Sequence, residues 1–251
     1  MRRTCSHCTN EALQASAVCA VHLADPVSWR DAALLVLRAS GGRGHVYVGV
    51  DWNLVDLRGF MLEHANFERA HLAGALLDGT DLTRANLQRV DLTGAQMTDC
   101  RLQAANMLDA RLDGAALVKA RLEGTQLSGA SLVGADLSGA SLVGAQLRRA
   151  KLAGSSFRGA ELHRTSLAGA DLTGVDFRGA HLREVSLTDA TGLDSTVVDE
   201  TTVGGAQLRP AASSSTPTQP PRGIRPPPPS TLKWRPAPPP DPRPGRPPRA
   251  T

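Results

Sequence analysis

Four residues near the amino terminus carry the clearest chemistry in this chain. Cys5 and Cys8 stand three apart, as do Cys19 and His22, in the pattern Cys-x2-Cys-x10-Cys-x2-His. Each pair is spaced to chelate one ion. Together they offer three thiolates and one imidazole, a closed tetrahedral donor set suited to one structural Zn2+ per chain. Four protein ligands leave no open position for a substrate, which argues against catalytic zinc. Three of the four cysteines of the chain fall in this segment, and in a reducing compartment that pattern favours metal over disulfides. The competing reading is a redox or incidental set of cysteines. His7 is the poorer ligand candidate, because adjacent residues rarely both reach one ion.

Other residues invite catalytic readings that their context weakens. His64, His71, His163 and His181 lie in a highly periodic stretch, the last two with Glu161 and Glu184 near them in sequence. Their register places them outward, as part of a solvated charged surface. Cys100 occupies a slot filled elsewhere by alanine, so it reads as core and not as a nucleophile. The run Gly41-Gly42-Arg43-Gly44 lacks the Gly-Lys-Ser/Thr ending and the preceding strand of a phosphate loop. No catalytic residue is assigned.

The elements that position these residues follow from a repeat of five. From Leu57 to Leu187 every fifth residue is Leu, Phe or Met, 27 of 27 positions: 22 leucines with Phe67, Phe157, Phe177, Met97 and Met107. Two residues earlier stands a small residue, alanine in 17 cases, with Phe60 the one bulky exception. Two residues later, 15 of 27 are glycine. Five residues advance an α-helix by about 500°, so the leucines would form no stripe. Each glycine would cost roughly 1 kcal/mol inside a helix. A simple strand repeats every two residues. A four-sided coil with five residues per side satisfies the pattern. The Leu and the small residue two before it point inward, the other three positions face water, and the Gly-rich position turns the corner.

Asp81-Leu82, Asn86-Leu87, Asp91-Leu92, Asp136-Leu137 and Asp171-Leu172, most of them preceded by Ala, carry the motif Ala-(Asp/Asn)-Leu-x-x. At these residues the sequence resembles the pentapeptide-repeat family over about 135 of its 251 residues. The resemblance implies an all-β solenoid, a right-handed quadrilateral β-helix. At four repeats per coil it would have nearly seven coils and be roughly 32 Å long at about 4.8 Å per coil. Some members of that family protect DNA gyrase by imitating duplex DNA, which needs a dense acidic stripe. Sorted by a 20-residue period, the four faces here carry five acids and four bases, five and five, three and four, and three and two. No face is acidic.

The flanks differ in composition. Residues 1–24 form the zinc-knuckle-like segment. Within 25–51, Asp25-Pro26 is an N-cap with proline at the first helical position. Trp29, Ala33, Leu34 and Leu37 then make a helical stripe to about Ala39, and His45 to Val50 reads as a short strand. Knuckle and helix are expected to cap the open end of the β-helix, whose unpaired edges would invite aggregation. The repeat domain spans 52–190, and 191–208 is an irregular exit or cap. From 209 the chain is a Pro-rich tail containing 16 of its 17 prolines, expected to be disordered with polyproline II stretches.

Charge divides the same way. Residues 1–55 carry +1, 56–190 carry −1, 191–204 carry −3 and 205–251 carry +7. Arg225 ahead of Pro226–Pro229, and Trp234-Arg235 ahead of Pro236, are candidate partner-binding residues of a basic Pro-rich docking peptide. The tail could also attract nucleic acid or an acidic surface. A single Trp without other aromatics is a poor platform for specific nucleic-acid stacking. No apolar run reaches the roughly 18 residues of a membrane span, and the basic start lacks the apolar stretch of a signal peptide; the chain reads as cytoplasmic. The functional expectation is a non-enzymatic interaction scaffold or adaptor that binds an unidentified protein partner, with homodimer formation open. The alternatives are topoisomerase modulation or antibiotic self-resistance, and nucleic-acid binding by the tail.

Overall fold

Five residues per side and four sides per turn require every residue to neighbour the one 20 positions on. A computed structural model, which describes residues 34, 37, 41–199 and 202, shows this arrangement. Parallel bridges run Val46↔Asn66, Asp51↔His71, Asp56↔Leu76 and so on without a register break to Asp171↔Thr191. The residue before each core Leu makes the bridge, and the two after it form a turn.

The repeat 135–139 shows how one side is built. Leu137 N–H donates to Ser156 O (2.8 Å) and Gly139 N–H to Arg158 O (2.8 Å), both on the next coil. Asp136 N–H donates back to Ala115 O (2.9 Å), and Ala140 N–H closes the turn onto Leu137 O (3.0 Å). The third turn residue has positive φ while the second does not, which is the signature of a type II turn. That conformation suits glycine, as at Gly134 and Gly139. The same position also holds 12 non-glycine residues of the 27, among them Arg84, Lys119, Arg149 and Arg164, at φ between 54° and 59°. The corner is thus imposed by coil stacking and only eased by glycine.

The lumen is filled. The leucines of the five-residue column from Leu57 to Leu182 are at most 1% exposed, and the alanine column beside them equally so. Burying one such leucine contributes roughly 1.5–3 kcal/mol. Aromatic side chains gather toward the two ends of the ladder. Tyr47 stacks on Phe67 at 4.8 Å and lies 4.9 Å from Trp52, while Phe157 stacks on Phe177 at 5.4 Å.

Three expectations need correction. First, the coil begins before residue 52. Val46 already bridges Asn66, Tyr47 is buried at a core position, and residues 48–49 form the turn, so 45–50 is one more side of the coil and not a separate strand. The aromatic Tyr47 and the glycine Gly42 hid the register. Gly42 is buried at the next core position back, where Leu37 and Leu62 fill the space that a side chain would take. Second, the exit segment stays in the ladder. Thr191 bridges Asp171, the 3-10 helix Leu193–Ser195 adds one residue, and Val197 bridges Asp176. Third, the position before each Leu is not solvated in every repeat: Asp81 is 5% exposed, although Arg101 and Lys151 at the same position are exposed.

Candidate interaction surfaces

With the lumen closed, what remains for function is the outer surface. Its best-defined chemistry is the Asp or Asn before each Leu. The backbone ladder leaves one amide per repeat without a backbone acceptor, that of the residue after the Leu. Asp136 Oδ1 accepts the Ser138 N–H (3.0 Å), Asn66 Oδ1 that of Glu68 (3.0 Å), Asp91 Oδ1 that of Thr93 (3.1 Å) and Asp171 Oδ1 that of Thr173 (3.0 Å). Where that position lacks a suitable side chain, the previous coil can supply the acceptor, as Asp78 does for Thr98 (2.9 Å) and Asp113 for Val133 (3.0 Å). This role was missed in the sequence, although the Asp/Asn enrichment before Leu was its signal.

Polar residues in the small-residue column are similarly spent on the fold. The hydroxyls of Thr80, Thr125 and Thr165 donate to the carbonyls of Leu57, Leu102 and Leu142 at 2.7, 2.8 and 2.8 Å. Cys100 Sγ donates to Thr80 O at 3.2 Å, and burial pushes its thiol well above the ordinary range, so it is no nucleophile.

About half of the cations in the repeat pair with a carboxylate, within a repeat or one coil away. Arg58 pairs with Asp56 (2.7 Å), Arg158 and Arg178 share Asp176 (2.6 and 2.7 Å), and Arg164 holds Glu184 (2.9 Å). Such exposed pairs contribute little stability each, but they keep every face mixed in sign. At Asp81, burial pushes the carboxyl up, yet the contacts of Thr83 and Arg101 outweigh it and hold the group below the usual range. Arg164 does the same for Glu184.

His64, His71 and His181 are exposed and His163 is half-buried at outward positions. Glu161 bridges His181, and Glu184 is taken by Arg164. Among the described residues no three metal-ligating side chains converge, and no helix is long and apolar enough to cross a membrane. Cys5, Cys8, Cys19 and His22, and Arg225, Trp234 and Arg235, lie outside the described residues.

Comparison with known proteins matches this architecture. Three solved structures are similar to it. HetL, a pentapeptide repeat protein involved in heterocyst differentiation regulation in Nostoc sp. strain PCC 7120, is 24% identical over 68% of this chain and 97% of its own, with a TM-score of 0.27. Rfr23 from Cyanothece 51142 is 18% identical over 69% and 97%, with a TM-score of 0.25. QnrB1, a plasmid-mediated fluoroquinolone resistance protein, is 21% identical over 62% and 90%, with a TM-score of 0.30. No curated protein sequence matches. The pentapeptide repeats family matches in eight copies that together cover residues 65–191, just over half of the 251. The five-residue register, the Asp/Asn staple and that match agree: the chain belongs to the pentapeptide repeat family and has its right-handed quadrilateral β-helix.

Proposed function

We propose that this protein is a non-enzymatic interaction scaffold of the cytoplasm. Its β-helix presents fixed outer faces, and its basic Pro-rich tail, with Arg225, Trp234 and Arg235, docks a protein partner. One observation carries the reading: leucine and alanine side chains fill the lumen at 0–1% exposure, so other molecules meet this domain only at its outside. The coil spacing makes that outside a rigid lattice, because each turn is stapled to the coils before and after it.

The donor set of Cys5, Cys8, Cys19 and His22 fits a structural Zn2+, which would hold the amino-terminal segment in one conformation. Leu37, buried over Gly42 and Leu62, supports a role for the segment ahead of the repeat in closing the first coil. The metal prediction is checked by elemental analysis. About one zinc per purified chain, lost in Cys5→Ser/Cys19→Ser, is expected; retained zinc means a different ligand set.

The functional test is a pull-down from the source cell with the full chain and with a chain ending at Leu208. A partner lost with the tail supports an adaptor with a docking arm. Gyrase subunits retained without the tail would overturn this reading in favour of topoisomerase modulation, despite faces of mixed charge.

A further inference from the structure

Arg148 and Arg149 are the central residues of one turn, closed by Ala150 N–H onto Leu147 O (3.1 Å), and Lys151 occupies the next outward position. All three side chains are exposed. Among the described residues none of them has a hydrogen-bond or ion-pair partner for its cation.

The lattice shows why. Two corner cations elsewhere find an acid one coil on: Arg89 meets Asp109 at 3.8 Å, and Arg164 meets Glu184 at 2.9 Å, whereas Lys119, over Gly139, does not. Twenty residues beyond Arg149 stands Gly169, and Arg149 Cγ packs over it. Three of the acids nearby in register are already engaged, and Asp189, two coils on beyond Gly169, is exposed and separate. Asp113 accepts from the Ser131 hydroxyl and from Val133 N–H (3.0 Å), and Asp109 is held by Arg89. Asp171 Oδ1 accepts from Thr173 N–H (3.0 Å) and the Thr173 hydroxyl (2.6 Å). Arg149 also sits at φ +56°, where glycine would be less strained. Three exposed cations within four residues, none of them paired among the described residues, leave this corner open to an anionic partner from outside.

We propose that this corner is a contact point for the phosphodiester backbone of a nucleic acid. Guanidinium groups pair with phosphate oxygens in bidentate fashion. The amide of Gln126 and the hydroxyl of Ser128, on the same face one coil back, are further donors of the kind that bind phosphate and sugar. Protein interfaces instead centre on apolar or aromatic anchors. Of the four exposed large apolar side chains among the described residues, Leu54, Met61, Val133 and Val197, only Val133 belongs to the adjoining coils. This surface is on the β-helix and is independent of the tail, whose charge the experiment keeps constant.

The test is fluorescence anisotropy of the full chain with a labelled mixed-sequence DNA duplex, at salt from 50 to 200 mM. Arg148→Gln/Arg149→Gln/Lys151→Gln is compared with Arg58→Gln/Arg158→Gln/Arg178→Gln, which removes the same charge from ion-paired positions. Loss of three phosphate contacts should shrink the slope of log Kobs against log salt by about 2–3 in the first variant only. Equal losses in both variants, which reflect net charge alone, would overturn the proposal. So would an unchanged slope, no binding by the parent chain, or polyglutamate binding as tightly as DNA and lost in the same variant. The six side chains, five arginines and Lys151, all lie on the solvent side, and thermal melting of both variants is the control for folding.

Discussion

Replacing Asp136 by alanine removes the acceptor of the Ser138 amide (3.0 Å) and of the Ser138 hydroxyl while leaving the backbone ladder in place. The Ser138 amide donates to no backbone carbonyl. In the variant it must turn to water from a half-buried position. The situation is that of a lost helix N-cap, which costs about 0.5–2 kcal/mol; the lost partner is ionised, which favours the upper half of that range. An expected loss of about 1–2 kcal/mol corresponds to a fall in Tm of roughly 2–8 °C for a domain of this length. Asp136→Asn keeps Oδ1, and Asn66 and Asn106 show that an amide oxygen makes the same bond, so it should recover most of the loss. The assay is urea and thermal unfolding followed by circular dichroism, with calorimetry to confirm a single cooperative transition, since solenoids can unfold piecewise. Alanine at Asp91, Asp136 and Asp171 together should add, because the sites lie on different coils. An Asp136→Ala chain within about 0.3 kcal/mol of the parent would refute the staple as the reason for the motif. An Asn variant as unstable as the Ala variant would refute it equally.

The core and the acid limb give two further expectations. Leu132, 0% exposed and stacked between Leu112 and Leu152 in the ladder, should lose about 2–5 kcal/mol as Leu132→Ala; a cost below about 1 kcal/mol in urea unfolding would contradict its inward placement. The folded carboxyls of Asp81, Asp91 and Asp171 titrate below the ordinary range. Burial opposes this at the first two, but the contacts of Thr83 with Arg101, and of Thr93, outweigh it, while at Asp171 the Thr173 contacts act almost alone. Their stabilisation is complete above the unfolded pKa of about 4 and is lost as pH falls through the lower folded values. Stability measured by urea unfolding should therefore decline below about pH 4, and Asp91→Asn should flatten that decline; an acid limb unchanged by the substitution would count against it.

The amino-acid sequence alone determined the coil. Its leucine every five residues, its alanine two before and its glycine two after are satisfied by a four-sided coil, the form that the family resemblance implies, and the 20-residue bridges have that spacing. It also showed that no face is acidic, because the count needs only the period. What the tertiary structure decided was everything that depends on a neighbour 20 or more residues away. The sequence motif around Asp136 contains its own staple, but nothing local says that Asp78 caps Thr98 or that Thr125 reaches Leu102. Gly42 reads as a loop residue until Leu37 is seen in the space above it. Arg149 and Arg164 occupy the same position of the same motif. One is neutralised and the other is not, because one has glutamate a coil away and the other has glycine. A repeat encodes its backbone within five residues, whereas the charge pattern of its surface depends also on pairs that only stacking brings together.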